Sequence, residues 1–126
     1  MTRRRAFVAL CAVFLLITGQ VLAAPTPGYW QGIYRAGNEV NSLQPCPGNL
    51  VYWVGGNAPA VLALREYVLK HSQRPYQPVY VELFATLSPK QREGDAAGYD
   101  GLLLVDSVEN ISLHLPEACR SLPPEG

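Results

Sequence analysis

The chain has 126 residues, 48% of them hydrophobic and 16% charged, with ten basic and ten acidic side chains. That length allows one domain, and three of the basic residues, Arg3, Arg4 and Arg5, stand together near the start. Without them the remainder is acidic by about three charges, the wrong sign for neutralising phosphates, so nucleic acid is excluded as an expected partner.

The arginines lead into an almost unbroken apolar run from Ala6 to Thr18. Gly19 and Gln20 break it, and Val21-Leu22-Ala23-Ala24 follow. A basic start, an apolar stretch and small residues at a cut site are the three parts of a secretory signal. Cleavage is expected after Ala23, because a cut after Ala24 would put Pro25 next to the scissile bond. The run of about 13 residues is short of the roughly 20 that span a bilayer, so a removed signal is expected over a retained anchor, with no stable membrane insertion afterwards. Cys11 lies inside the run behind Leu10, not behind the small residue that lipid attachment requires, and is expected to leave with the signal. The expected organisation is therefore signal peptide 1–23, leader 24–28, domain 29–120 and a loosely held tail 121–126, in a periplasmic or secreted protein.

Along the domain, short strand patterns alternate with turns. Tyr29 to Arg35 is aromatic-rich, and Ala36-Gly37-Asn38 reads as a turn. Glu39 to Cys46 reads as a second strand, Pro47-Gly48-Asn49 as a turn, and Leu50 to Val54 as a third strand ended by Gly55-Gly56. Asn57 suits a helix N-cap, with Pro59 in the first turn. Ala60 to Ser72 then has helical spacing, with Val61, Leu64, Val68 and His71 on one face. Val79 to Leu87 alternates, so Val79, Val81, Leu83, Ala85 and Leu87 share a buried face. Ser88 to Gly98 reads as a long charged, flexible loop, and Tyr99 to Leu115 contains a last strand centred on Leu102 to Val105. The result is a mainly β chain of order β-β-β-α-β-β. That is the order of a five-stranded OB-like barrel with one helix between strands 3 and 4, although other α+β folds share it.

After cleavage two cysteines remain, Cys46 and Cys119. An even pair in an exported chain is most simply a disulfide. Free thiols for redox or metal chemistry are the alternative, but there is no Cys-x-x-Cys spacing. Closing so long a loop would contribute about 4 kcal/mol in the chain-entropy picture.

The chain resembles the C-terminal OB domain of NlpE-type envelope lipoproteins and related small periplasmic proteins. The resemblance runs through Gly28-Tyr29, Glu39 to Gly48 and Leu50-Val51-Tyr52-Trp53-Val54. It continues through Leu64-Arg65-Glu66-Tyr67, Pro78 to Leu83 and Tyr99 to Val105, covering about 28 to 113. It implies an OB fold with a paired cysteine near each end and a role in the envelope, where members are linked with copper homeostasis, adhesion and stress reporting. This sequence lacks the family's lipidated N-terminus and its separate N-terminal domain with a Cys-x-x-Cys motif. The fold therefore carries over better than the activity.

Catalytic and metal patterns are sparse. There is no Gly-x-Ser-x-Gly or Ser-x-x-Lys, and no catalytic residue is expected. His71 reads as a helix-end cation and His114 as an exposed strand-end side chain. Neither has a partner at ligand spacing, and Met1, the sole methionine, goes with the signal, so no metal or other cofactor is expected. Glu93, Asp95 and Asp100 read as a solvated loop whose spacing does not match an EF-hand. The aromatics carry the functional lead. Tyr29, Trp30, Tyr34, Tyr52, Trp53, Tyr80 and Phe84 come from four strands, and alternation puts only part of the set in a core. OB barrels bind on the face of strands 2 and 3, between the loops after strands 1 and 4. The expected binding face is accordingly Tyr52 or Trp53 with Asn38 on one side and Lys90 and Arg92 on the other. The reading is a non-catalytic exported binding or sensing module for an envelope protein or peptide. The alternative is a module for glycans or other small ligands.

Overall fold

A computed structural model describes residues 26–120; the expected signal peptide, the first two residues of the leader and the 121–126 tail lie outside the described residues. The elements are β1 (Gly28–Gly37), β2 (Val40–Pro45), β3 (Tyr52–Gly56), α1 (Ala58–His71), β4 (Val79–Ser88), β5 (Leu102–Ser112) and a short α2 (Glu117–Arg120). The chain is mainly β, with α1 between β3 and β4 as expected. No described helix is long and apolar enough to cross a membrane.

β1 is long enough to serve two neighbours. Its first part pairs antiparallel with β4, from Gly28↔Ala85 to Tyr34↔Val79. Its last part pairs with β2, from Gly32↔Pro45 to Gly37↔Val40. β3 joins β2 through only Ser42↔Trp53 and Leu43↔Tyr52, and runs parallel to β5 from Trp53↔Leu102 to Gly56↔Val105. β4 and β5 complete the ladder, so the strands close in the order β1-β2-β3-β5-β4. Closure removes most of the free sheet edge that an open sheet would present.

Strand alternation fills the interior. Tyr34, Leu43, Val54, Val79, Val81, Leu83, Leu103 and Val105 are essentially inaccessible. Leu64 and Val68 of α1 enter the same cluster, with Val61 partly buried beside them. Burying Leu and Val side chains contributes about 1.5–3 kcal/mol each, which holds the helix against the sheet. His71 does not continue this stripe. It is exposed, stacks on Tyr67 at 4.1 Å between ring centroids and places Nδ1 2.8 Å from the Tyr67 carbonyl oxygen.

A second, smaller cluster lies on the outer side of β1 and β4. Cys46 and Cys119 are joined by a disulfide across 73 positions of sequence, and pack with Ile33 and Tyr80. This explains why Tyr80 is buried although it points away from the core face of β4. Leu87 departs in the other direction. It keeps the inward alternation but sits at the rim of the barrel beside Gly101, and is 46% exposed.

The β1–β2 turn is one residue later than the Gly-Asn signal places it. Asn38 and Glu39 form the corner, and Glu39 takes the positive φ of 58° that a glycine would favour. Gly37 stays in β1 because the ring of Tyr76 lies against it: a Cβ there would fall 2.1 Å from Tyr76 Cε1. Asn57 does occupy the N-cap of α1, with proline in the first turn, but its side chain makes no cap bond. Its Nδ2 instead donates to the Asp106 carbonyl at 3.3 Å. The segment after β4 is also more ordered than a flexible loop, with a 3₁₀ turn at Asp95–Gly98.

Candidate functional site

The outer surface at the β3–β5 seam carries an aromatic platform. Trp53 alternates outward between the inward Tyr52 and Val54. Its ring meets that of Tyr99 at a centroid distance of 5.4 Å and a tilt of 53°. Along β5, Leu103 and Val105 point into the core, so Leu102 and Leu104 point out, opposite Trp53 and Gly55. Gly55 forms the floor between them, where a Cβ would stand 3.3 Å from Leu102 Cδ1 and 3.9 Å from Leu104 Cδ2. Leu104 is 38% exposed. Apolar side chains around a glycine floor give a shallow surface on which a flat or apolar group can stack.

The platform is fixed from the segment between β4 and β5. Asp100 Oδ2 accepts the Val51 N–H at 2.9 Å, the Asp100 N–H donates to the Val51 carbonyl at 2.9 Å, and the Trp53 N–H donates to Gly101 O at 3.0 Å. Lys90 Nζ donates to the carbonyls of Ala97 and Tyr99 at 3.0 and 2.6 Å. Lys90 therefore acts here as a clamp that holds the 3₁₀ turn and Tyr99 behind Trp53. Arg92 is exposed on the same segment.

The five expected face residues are thus divided. Trp53, Lys90 and Arg92 belong to the platform and its supporting segment. Tyr52 does not: it is buried in the barrel, with its ring 5.9 Å from that of Trp30 in an edge arrangement. The reason is the period of two, which sends neighbours on a strand to opposite faces. Asn38 lies at the hairpin tip, where its carbonyl accepts the Tyr76 hydroxyl at 3.3 Å. It lines a separate open groove of about 720 Å³ with Arg65, Leu69 and Tyr76. Tyr99, Leu102 and Leu104 were not anticipated. The outward positions of the Leu102–Val105 run would have pointed to the two leucines, once that run was paired with β3.

Of the other aromatics, Trp30 and Tyr34 pack in or against the core, whereas Tyr29 and Phe84 meet outside it at 5.7 Å. Trp30 Nε1 donates to Ala85 O at 3.0 Å, which satisfies its indole. Tyr34 donates to Asn41 Oδ1, and Asn41 Nδ2 donates to Val54 O at 3.1 Å. Burial pushes the Tyr34 hydroxyl up to about 12, with the Arg65 charge partly opposing the shift. Tyr80 is raised as well, by burial first and by its bond to the Glu82 carboxylate second. Among the described residues, no three His, Cys, Asp or Glu side chains gather as a metal site would require. His114 is exposed beyond β5, as expected.

No protein-family model matches the chain, and no curated protein and no solved structure matches it either.

Proposed function

We propose that the chain is an exported, non-catalytic binding or sensing module built on an OB-type barrel of the kind found in NlpE-type envelope proteins. In this reading it engages an envelope protein or peptide through the Trp53 platform. The observation that carries it is the Trp53–Tyr99 pair with Leu102 and Leu104 around Gly55. Exposed apolar groups gathered on one face mark interaction sites, and tryptophan and tyrosine are the residues that most often anchor partners. The OB assignment is supported by the strand order, the parallel β3–β5 pair and the helix placed between β3 and β4. Export is supported by the Cys46–Cys119 disulfide, which belongs to oxidising compartments, and by the signal-like start of the sequence.

The non-catalytic reading rests on how the polar groups are used. Lys90, Asp100, Arg65 and Asn41 are engaged with backbone or neighbouring side chains in supporting roles. The test is site-specific photo-crosslinking from position 104 in the intact envelope, with Trp53→Ala as control. A discrete protein adduct that disappears in the control supports the reading; background labelling alone overturns it. The second reading, a glycan or small-ligand module, rests on the same flat aromatic surface. It predicts saturable quenching of tryptophan fluorescence by soluble cell-wall glycans, lost in Trp53→Ala.

A further inference from the structure

We propose that the groove between α1 and β5 docks an extended, basic segment of a protein partner as an added β-strand, independently of the Trp53 platform. β5 outlasts its neighbour on one side. It pairs with β3 only through Leu102–Val105, while its pairing with β4 continues to Ser112. From Asp106 to Ser112, therefore, β5 has β4 on one edge and, among the described residues, no strand on the other. The Asp106 carbonyl is taken by Asn57 Nδ2; beyond it, the backbone groups of alternate residues on an antiparallel strand turn to opposite edges, so Ser107 to Ser112 turns N–H and C=O groups toward the edge that no described strand covers. Such an edge is a template for strand addition.

The space beside that edge suits a strand. It is an open groove of about 710 Å³, floored by Leu64, Val108 and Ile111. On the helix side the lining residues include Ala60 and Ala63, whose small side chains leave the edge accessible, and Tyr67.

Charge selects the occupant. The β4–β5 register shifts twice, between Glu82 and Leu83 and between Phe84 and Ala85. In β5 the residues left without a β4 partner at these shifts are Glu109 and Asp106. Both line the groove, both are exposed, and none of the lining residues is basic. Ser107 Oγ donates to Glu109 Oε2 at 3.1 Å and holds one of the carboxylates in place. A second copy of the chain paired edge to edge would bring the same carboxylates against these, which is unfavourable between facing strands. A partner strand with lysine or arginine alternating with apolar residues would set the apolar side chains on the floor and the cations against the two acids.

The test is selection of a random dodecapeptide library on the full chain with its disulfide intact. Each selected sequence is then made as a free peptide and its affinity measured. The expected sequences alternate apolar with basic residues. Their affinity falls at least tenfold for Ala63→Trp, which fills the groove, and for the charge reversal Asp106→Lys with Glu109→Lys. Methylating alternate backbone nitrogens of the peptide abolishes binding, and Trp53→Ala leaves it unchanged. Circular dichroism melts establish that the variants fold; the charge reversal alters only exposed positions and stands as the second arm. The inference is overturned if no sequence is selected, if the selected sequences are acidic or uncharged, or if they bind the groove variants as well as the parent. It is also overturned if they tolerate the methylated backbone. Loss of binding in Trp53→Ala alone would assign the peptides to the platform instead.

Discussion

The guanidinium of Arg65, in the middle of α1, donates to the Gly37 carbonyl at 2.7 Å from Nη2 and to the Val40 carbonyl at 2.9 Å from Nη1. One side chain thus ties the helix to both sides of the β1–β2 hairpin corner. Truncating it leaves two carbonyls without their charged donor. Hydrogen bonds to charged groups contribute about 1.5–3 kcal/mol each, and the pair shares one side chain. Arg65→Ala is expected to lose about 2–4 kcal/mol in urea unfolding, and Arg65→Lys to recover only part of it, since an ammonium lacks the guanidinium fork. A loss below about 0.5 kcal/mol would mean that the hairpin does not depend on this contact.

Stability should fall at alkaline pH. The Tyr34 hydroxyl has a folded-state value of about 12, above the ordinary tyrosine value of about 10. A raised value means that the folded state holds the proton more tightly. The resulting stabilisation is complete below about pH 10 and is lost as pH climbs toward 12, by about 2–3 kcal/mol at most. Tyr80 shifts in the same direction and adds to the slope. Urea unfolding of the parent and of Tyr34→Phe across pH 9 to 12 separates the two. The difference between them should narrow as pH rises; parallel curves would contradict the assignment to Tyr34.

Reduction of Cys46–Cys119 removes a cross-link that spans 73 positions, worth about 4 kcal/mol in the chain-entropy picture. The sulfurs sit in the outer cluster with Ile33 and Tyr80, apart from the barrel core. A reduced protein should therefore have a lower urea midpoint while keeping its strand signal in circular dichroism before the transition. Equal midpoints with and without reductant would remove the disulfide from the stability account.

Substitution at Gly55 tests the proposed platform separately from the fold. A Cβ there meets the flexible end of Leu102 at 3.3 Å, so Gly55→Ala should shift the midpoint little, by less than about 1 kcal/mol. The same methyl raises the floor between Trp53 and Leu104, and partner or glycan binding should weaken several-fold. Unchanged binding with unchanged stability would move the site away from this seam.

Element types and order were legible because each rests on a local period. Val79, Val81, Leu83 and Ala85 alternate in sequence and enter the core, and Leu64 and Val68 recur at helical spacing and enter it too. What local pattern could not reach came from tertiary placement. Tyr80 is buried only because the disulfide and α2 bring Cys119 over it. Gly37 is needed by a tyrosine 39 residues away rather than by its own turn. The assignment of Tyr52 or Trp53 to the binding face was a question of which neighbour points inward, and that depends on the register of β3 against β2 and β5. The shifts that leave Asp106 and Glu109 without partners break the period of two, so the acidic groove had no signature in the alternation.

The most direct measurement is photo-crosslinking in the intact envelope with the reactive side chain at position 104, beside Trp53, and in parallel at position 62. Leu62 is an exposed residue of α1 that lines neither the platform nor the α1–β5 groove. If the Trp53 platform holds a protein partner, one discrete protein adduct forms from position 104, none from position 62, and the first is lost in Trp53→Ala. Adducts of equal yield from both positions, or none from position 104 in a folded, disulfide-bonded protein, would contradict that reading.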